Sequence, residues 1–412
     1  MTEPTTAGAP VDPVDPVLAE LVALDAEHHM HVFGRAPVAF VRGSGTELFD
    51  TAGRRYLDFL AGLAVVSLGH ANPVVAAALA DQAQTLLHVS NLFYNDLQPR
   101  LAARLDARLG GGGRLFFANS GAEANECAIK VARRYAQRRF GPERHHIVGM
   151  LGGFHGRTLA ALAATGKPQL HETFQPLPSG FRHVPYGDTA ALAGALDERV
   201  AAVIVEVIQG ESGVLPARLD YLTELRRTCD EREVLLIVDE IQTGLGRTGA
   251  WFGFEHAEIR PDIVTLAKAL GNGVPIGAGW ARAEVADAFA PGDHGSTYAG
   301  QPLAARAALA VLDELERLDA PELARRQGAL LRAALEAVPE IVEVRGRGLL
   351  LAAELGTDAD AKAVNARLLA RGLVANAVTA TAVRFAPPLT VSDEEIAEAV
   401  AIVAAVLSEG VA

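Results

Sequence analysis

The sequence predicts an α/β protein with a mostly parallel central sheet that helices cover on both faces, followed by a smaller α+β domain. From about Asn72 onward, short apolar runs rich in β-branched residues recur between helical lengths of chain. Strands that are apolar throughout are typical of parallel sheets buried on both faces. This alternation ends near Pro302. We therefore predict a large domain at 71–301 and a small domain at 302–412.

The chain before the large domain is predicted to contain two parts. The first residues are rich in Pro, Thr and Gly and lack apolar periodicity, so a disordered tail is expected at 1–16. Residues 38–62 alternate apolar and polar positions around Gly turns, which predicts a β-meander. This meander belongs to an N-terminal segment at 17–70, which we expect to join the small domain.

Helical periodicity and apolar runs predict the remaining elements. In the large domain, helices are expected at 74–88 and 97–109, and buried strands at RLFFAN (114–119), IVGM (147–150), VAAVIVEVI (200–208), VLLIVD (234–239) and DIVTLA (262–267). In the small domain, helices are expected at 303–318, at 320–338, near 359–371 and from 393, with VEVRGRGLLLAAEL (342–355) and VRFAPP (383–388) between them.

Composition limits the classes of function. A formal net charge of −13 argues against a nucleic-acid or anionic-membrane surface. Two cysteines are too few for a disulfide framework or a thiolate metal site, and we expect no metal. No signal peptide and no apolar run of membrane-spanning length is visible. The sequence therefore predicts a soluble, cytoplasmic protein that acts on small molecules.

A candidate phosphate site lies where RLFFAN is followed by SGAEANE (120–126). Ser120 is a candidate N-cap, and Glu123 three residues later completes a capping box. The first turn of a helix offers free backbone N–H groups and the positive end of the helix dipole, and both suit a phosphate. An ordinary capped helix without a ligand explains this motif equally well.

Asp239 stands at the end of the apolar strand VLLIVD. Burying an ionised carboxylate is costly unless a cation pairs with it, and a protonated pyridine nitrogen would be such a cation. A partly exposed Asp beside an Arg is the more common arrangement. GLGRTG (244–249) resembles a nucleotide-binding Gly loop only superficially, because no P-loop Gly-Lys-Ser/Thr is present.

Lys268 directly follows the next apolar strand, DIVTLA. Lysine seldom occupies such a position unless it is paired or reactive. Desolvation favours the neutral amine, which is the nucleophilic form that attacks a carbonyl. The Gly and Pro residues of GNGVPIGAG (271–279) allow close approach of the backbone. Most single lysines are structural, so this prediction depends on the combination of motifs.

The combination resembles the class III aminotransferases of fold type I, over nearly the whole chain from about Pro37. The motifs that carry the resemblance, in order, are SGAEANE (120–126), FHGRT (154–158), VEVIQGESG (205–213), VDEIQTGLGRTG (238–249), TLAKALGNGVPIGA (265–278), HGSTYAG (294–300) and VRFAPPL (383–389). The resemblance implies the fold of this family, in which a large domain binds pyridoxal 5'-phosphate and a smaller α+β domain follows.

The resemblance also implies a role for individual residues. Lys268 would carry the cofactor covalently and then act as the base that moves the substrate proton. Asp239 would keep the pyridine nitrogen protonated. The other implied cofactor contacts are Ser120, Gly121 and Ala122 at the phosphate, Phe154 on the ring face with His155 behind it, Gln242 at the phenolic oxygen, and Thr297 at the phosphate of the neighbouring subunit. Thr297 therefore implies a homodimer with shared sites.

Within the family, the chain is most similar to the acetylornithine aminotransferase subgroup, through residues 57–73 and 88–95 and two arginines. Arg133 matches an arginine that holds the carboxylate at the far end of the substrate, although helical spacing alone would also allow an exposed position. Arg384 matches the arginine that holds the α-carboxylate of glutamate, and Glu211 the glutamate that pairs with Arg384 otherwise. The implied reaction transfers the δ-amino group of N2-acetyl-L-ornithine to 2-oxoglutarate in arginine biosynthesis.

Other functions stay open at this point. The amino donor could be ornithine, N-succinyl-diaminopimelate, 4-aminobutyrate or a diamine of secondary metabolism. The same fold also serves aminomutases and epimerases, and a catalytically silent binding protein would use it without the lysine. The sequence departs from the family pattern at Val207, Ser212, Ala299 and Gln301, which affects the shape of the pocket but removes no chemical group.

Overall fold

A computed structural model describes residues 15–410 of the chain. Most of the tail predicted at 1–16 lies outside the described residues. At its end, Asp15 caps a helix at Pro16–His28, and its side chain accepts a hydrogen bond from Val17 N at 2.9 Å. None of the residues of this helix is buried. Apolar periodicity therefore gave no signal for it.

The largest sheet of the described residues has seven strands, and the predicted mostly parallel sheet is confirmed. Its strands, in spatial order, are Gly113–Ala118, Gly277–Arg282, Ile263–Leu266, Leu235–Asp239, Val200–Glu206, His146–Met150 and Phe181–Val184. Neighbouring strands are parallel except at Gly277–Arg282, which runs antiparallel to both of its neighbours. The sequence did not predict this strand.

Both faces of the sheet are buried, as the apolar runs predicted. Ile237 packs into the core beside the helix Gly121–Phe140, whereas its neighbours Leu236 and Val238 pack into the core that includes Leu219–Glu231. The other helices of this region are Pro73–Thr85, Leu97–Arg108, Leu159–Ala164, Pro168–His171, Thr189–Ala195 and Ala283–Ala286, and a short, kinked turn lies at Ala61–Ala64. The two helices predicted at 74–88 and 97–109 are confirmed.

The described residues also form two four-stranded sheets. The predicted meander is confirmed as the antiparallel strands Phe40–Ser44, Glu47–Asp50 and Arg55–Asp58, and the last of these pairs in parallel with Leu373–Val374. The second sheet contains Glu343–Arg347, Leu350–Glu354, Ala382–Phe385 and Asn376–Ala377. Two-residue strands at Ile208–Gln209 and Leu215–Pro216 form a separate pair.

The C-terminal helices are Pro302–Arg317, Ala320–Glu336, Ala361–Ala370 and Asp393–Leu407. The first of them packs against Pro73–Thr85, so it connects the C-terminal part of the chain to the N-terminal part. The division into domains at 17–70, 71–301 and 302–412 stays a prediction. Within residues 15–410, no helix combines the length and the apolar character that crossing a membrane requires.

Candidate active site

A cavity of about 390 Å³ opens at the carboxyl ends of the parallel strands. This is where open α/β sheets bind their ligands, because polar residues that follow neighbouring strands converge there. Asp239 and Glu206 end adjacent strands and are paired in register. Of the predicted site residues, the cavity is lined by Ser120, Gly121, Ala122, Phe154, His155, Glu211, Asp239, Gln242 and Lys268.

Lys268 lies two residues beyond the strand Ile263–Leu266 and has a φ of 41°. Residues other than Gly seldom adopt this left-handed region, and such strain tends to be found at functional sites. Burial and, to a smaller extent, the positive charge of Arg384 lower the pKa of Lys268 to about 8, although the carboxylates of Glu211 and Asp239 oppose this shift. A larger fraction of the amine is therefore neutral and nucleophilic at neutral pH than for an exposed lysine.

Asp239 is buried, at 4% exposure, and is held by three donors. Its Oδ2 accepts hydrogen bonds from Asn125 Nδ2 and from His155 Nδ1, both at 2.8 Å, and its Oδ1 accepts from Ile241 N at 3.0 Å. Asn125 is itself fixed, because its Oδ1 accepts a hydrogen bond from Thr265 Oγ1 at 2.8 Å. The alternative of a partly exposed Asp beside an Arg is thus wrong.

His155 is a buried residue of the cavity wall, and its imidazole is hydrogen-bonded to Asp239. Burial lowers the pKa of His155, but the hydrogen bond to Asp239 and its negative charge outweigh burial, so the net pKa lies above the ordinary value. A second carboxyl, Glu206, lines the same cavity and accepts a hydrogen bond from Phe154 N at 2.9 Å. Burial raises the pKa of Glu206 to about 7 against the opposing charge of His155. This site therefore concentrates ionisable groups with shifted pKa values, as catalytic sites do.

The helix Gly121–Phe140 begins at the cavity, and its N-cap is Ser120, as predicted. Ser120 Oγ accepts a hydrogen bond from Glu123 N at 3.2 Å, and the Glu123 carboxylate accepts from Asn119 N at 2.7 Å, one residue before the expected partner. The first-turn amides of Gly121 and Ala122 have no preceding helical carbonyl to bind. A Cβ at Gly121 would approach Ile241 Cδ1 to 2.8 Å, so a larger residue here would require the Ile241 side chain to shift.

Gln242 supplies a second unsatisfied donor to the cavity. Within the described residues, its Nε2 is buried without a hydrogen-bond partner. Its Oε1 is packed so closely against Gly210 that a Cβ there would come within 1.8 Å of it. The amide is therefore held in place by packing, while its N–H groups remain available to a ligand oxygen.

These groups fit pyridoxal phosphate. The free amides at the helix N-terminus suit its phosphate, the buried Asp239 suits a protonated pyridine nitrogen, and Gln242 Nε2 suits the phenolic oxygen. Lys268 has the lowered pKa that reaction with an aldehyde requires. Phe154 lines the same cavity and presents an aromatic ring to it.

Arg384 lies behind Glu211 and is fully buried on the strand Ala382–Phe385. Its Nη1 donates hydrogen bonds to Glu211 Oε1 at 2.7 Å and to Gly210 O at 3.0 Å, and its Nε donates to Asn376 Oδ1 at 3.0 Å. Within residues 15–410, Arg384 Nη2 has no partner. Nη2 is thus free to bind an oxygen of a ligand carboxylate, whereas Glu211 occupies Nη1.

The structure does not bring Arg133 to the cavity, which corrects its predicted role. Its Nε donates to His145 O at 2.9 Å, its Nη2 donates to Ser179 O at 2.9 Å, and its guanidinium lies 4.8 Å from the centroid of the Phe181 ring. These contacts hold the half-buried side chain against the residues that lead into the strands His146–Met150 and Phe181–Val184. Helical spacing places Arg133 on a face but cannot tell which neighbours that face meets.

Arg157 is the arginine that does line the cavity, and the sequence analysis missed it. Its side chain is exposed, its guanidinium lies 5.6 Å from the centroid of the Phe154 ring, and no carboxylate among the described residues pairs with it. Arg157 belongs to FHGRT, and Asn125 to SGAEANE, so both missed residues lay in motifs that were already identified. The signal available in the sequence was that they share these motifs with the predicted site residues Phe154 and Ser120.

Thr297 is exposed and does not line the cavity of its own chain. Ser296 beside it contacts the cavity wall, because Asn119 Nδ2 donates a hydrogen bond to Ser296 Oγ at 3.1 Å. Among the residues that depart from the family pattern, Ser212 donates from its Oγ to Gly152 O at 2.5 Å. This serine therefore braces the turn that carries Glu211.

Comparison with known proteins gives a consistent assignment. The model of the family "Aminotransferase class-III" matches residues 30–407. The chain is 45% identical to an acetylornithine aminotransferase of Caldanaerobacter subterraneus subsp. tengcongensis, over 94% of this chain and 99% of that protein. It is 48% identical to an acetylornithine aminotransferase of Gloeobacter violaceus, over 93% and 96%.

Among solved structures, the ornithine aminotransferase of Toxoplasma gondii ME49 superposes with a TM-score of 0.91 at 37% identity, covering 95% of each chain. The family match spans nearly all of the described residues, and the relatives are similar over their full lengths. The protein therefore belongs to the class-III aminotransferases, which are pyridoxal-phosphate-dependent enzymes.

Proposed function

We propose that the protein transfers the δ-amino group of N2-acetyl-L-ornithine to 2-oxoglutarate, giving N-acetyl-glutamate 5-semialdehyde and glutamate in arginine biosynthesis. The observation that carries this proposal is the Glu211–Arg384 pair, in which a buried guanidinium is covered by a carboxylate that is 33% exposed. In a closed state, with Glu211 on Arg384, the site would suit a donor that has no carboxylate at this position. In an open state, with Glu211 turned away, Arg384 would bind one carboxylate of a dicarboxylate. The names of the most similar relatives favour acetylornithine as that donor.

Two arginines would bind the two substrates. Arg157, exposed in the cavity, would hold the carboxylate at the far end of either substrate, in place of Arg133. Arg384 would hold the α-carboxylate of glutamate or 2-oxoglutarate, with its free Nη2 completing a bidentate contact. With acetylornithine in the site, the reacting end carries no carboxylate and Glu211 would stay on Arg384.

The remaining residues would act on the cofactor and on the proton that moves. Pyridoxal phosphate supplies the carbonyl that exchanges amino groups and a ring that withdraws electrons. Asp239, fixed by Asn125 and His155, would hold the pyridine proton. Lys268 would bind the cofactor and afterwards transfer the substrate proton, since its pKa of about 8 lies near neutral pH.

A panel of amino donors with 2-oxoglutarate tests the substrate. We expect the highest kcat/KM for N2-acetyl-L-ornithine, at least about tenfold above L-ornithine, which corresponds to ~1.4 kcal/mol. The reason is electrostatic, because free ornithine would bring a second ammonium beside Arg157. Glutamate formation is the measurement. A higher kcat/KM with ornithine, N-succinyl-diaminopimelate or 4-aminobutyrate would show that this compound, and not acetylornithine, is the preferred donor.

We infer that the working unit is a homodimer with shared sites. Leu92, Phe93 and Tyr94 are 85%, 70% and 99% exposed, and large apolar side chains in one patch mark an interaction surface. The loop that carries Thr297 adjoins this patch, because Asn91 Nδ2 donates to Ala299 O at 3.0 Å. Thr297 is exposed beside the patch, and we infer that it contacts the cofactor phosphate of a second copy.

Subunit mixing tests the shared site. Lys268→Ala subunits should be inactive, and Thr297→Val subunits should lose activity at limiting cofactor. A mixed dimer would contain one site with both defects and one site with neither. We therefore expect activity to return after the two variants are unfolded together and refolded, measured against each variant refolded alone. If mixing restores nothing although hybrid dimers form, Thr297 serves its own subunit or none.

We also infer a cytoplasmic location. Cys127 and Cys229 are both buried and unpaired, which suits a reducing compartment.

A further inference from the structure

Lys167 is a cation beside the proposed substrate site that none of the roles above uses. It caps the short helix Pro168–His171, and its Nζ donates a hydrogen bond to Glu211 O at 2.8 Å. Within residues 15–410, this is the only hydrogen bond of the ammonium group, which has three donors. The lysine that contacts the backbone of Glu211 thus keeps two N–H groups for a further acceptor.

The charges around Lys167 are those of the proposed carboxylate site. Burial lowers the pKa of Lys167, and the carboxylates of Glu211 and then Glu206 oppose this effect most strongly. Burial would raise the pKa of Glu211, but the charge and hydrogen bond of Arg384 outweigh it, with smaller contributions from Lys268 and Lys167. Three cations therefore act on the Glu211 carboxylate.

Two of these three cations are committed elsewhere when glutamate occupies the site. Arg384 would be paired with the substrate α-carboxylate, and Lys268 would be bound to the cofactor before the reaction and engaged with the substrate proton during it. A carboxylate left unpaired in a partly buried site carries a large desolvation cost. Lys167 is the remaining cation, and it already touches the residue that must find a new partner.

Three hydrogen bonds hold the turn that carries Glu211. Gly210 O accepts a hydrogen bond from Arg384, Glu211 O accepts one from Lys167, and Ser212 Oγ donates to Gly152 O. A change of partner by Glu211 would therefore involve rotation of its side chain and not of the turn. Lys167 already hydrogen-bonds to the backbone of the same residue.

We propose that Lys167 is the positioning residue that receives the Glu211 carboxylate whenever a dicarboxylate substrate takes Arg384. This proposal rests on the proposed function of the Glu211–Arg384 pair and deepens it. Lys167 would stabilise the open state of the pair and thereby set how well the enzyme accepts glutamate and 2-oxoglutarate. It would have no such effect with an amino donor that leaves the pair closed.

The test compares Lys167→Gln with Lys167→Arg in the cofactor-loaded enzyme. The glutamine keeps an N–H donor for Glu211 O but removes the charge, whereas the arginine keeps the charge. We expect Lys167→Gln to weaken equilibrium binding of glutarate, measured by calorimetry, and to slow the single-turnover reaction with glutamate, each by about tenfold, an effect typical of losing one partly buried charge pair. The reaction with acetylornithine should change little, and Lys167→Arg should restore most of both losses.

Lys362→Gln is the matched control, because it removes one lysine charge from an exposed position on the helix Ala361–Ala370. Equal glutarate affinity in the parent and Lys167→Gln would overturn the proposal, and so would equal losses with glutamate and acetylornithine, which indicate a general structural role. A parent enzyme that does not bind glutarate would overturn it as well. Failure of acetylornithine as donor is a separate result, since the glutarate measurement does not involve the donor.

Discussion

Lys268→Ala is expected to abolish transamination while leaving the cofactor phosphate site intact. Loss of a positioned general base alone typically costs roughly 10²–10⁴-fold in rate, and this variant also loses the covalent attachment point. The helix N-terminus at Gly121 and the Gln242 amide do not depend on the lysine, so the cofactor should still bind. The measurements are the rate of glutamate formation and the cofactor content after dialysis.

A second readout identifies the lysine directly. Borohydride reduction of the parent enzyme should fix the cofactor onto Lys268, and peptide mass mapping should locate it there. Lys130→Ala is the control, because Lys130 is exposed and its ammonium contacts Asp293 O and the His294 ring outside the cavity. A reduced adduct on any other lysine would show that the central assignment is wrong.

The positions of Lys268 and Asp239 at the carboxyl edge of the sheet were predictable from the sequence because parallel strands give a local signal. A fully apolar strand that ends in Asp239 or leads into Lys268 marks a charged group at the carboxyl edge of the sheet. The phosphate site was predictable for a similar reason, since Ser120 and Glu123 lie at N-cap spacing. Each local signal needed only the residues of one strand or one helix turn, whereas the roles of these residues followed from the combination of motifs.

The errors occurred where the answer depends on which elements meet in space. Arg133 has suitable helical spacing, but its helix turns that side chain towards His145 and Ser179. Arg157 lies in a loop, where no periodicity predicts direction. The strand Gly277–Arg282 starts in a Gly-rich stretch and has no polar and apolar alternation because both of its faces are buried. Its antiparallel position depends on pairing with the distant strand Gly113–Ala118.

The two arginines of the site are expected to respond differently to substitution, and this difference carries the substrate claim. Arg384 would meet a substrate carboxylate only when glutamate or 2-oxoglutarate is bound, whereas Arg157 would meet one in both half-reactions. Loss of a hydrogen bond to a charged group typically costs about 1.5–3 kcal/mol, or roughly tenfold to a hundredfold in rate. Arg384→Ala should therefore slow the glutamate half-reaction strongly and the acetylornithine half-reaction little.

Arg157→Lys should slow both half-reactions, because an ammonium keeps the charge but cannot form the bidentate contact. Arg133→Lys is the matched control and should react as the parent does, since its partners are two backbone carbonyls outside the cavity. Single-turnover spectroscopy measures each half-reaction separately. Normal rates in Arg157→Lys together with slow rates in Arg133→Lys would show that Arg133, and not Arg157, binds the carboxylate at the far end of the substrate.

Glu211 completes this prediction, because it decides which substrate finds Arg384 free. Glu211→Gln removes the charge that pairs with Arg384 and leaves a buried guanidinium without an anion until a carboxylate substrate arrives. Glutamate should then bind more tightly, and acetylornithine should react more slowly, since nothing neutralises Arg384 while that donor is bound. The ratio of the two half-reaction rates is the measurement. If Arg384→Ala damages both half-reactions equally and Glu211→Gln leaves this ratio unchanged, the pair does not act as a switch between substrates.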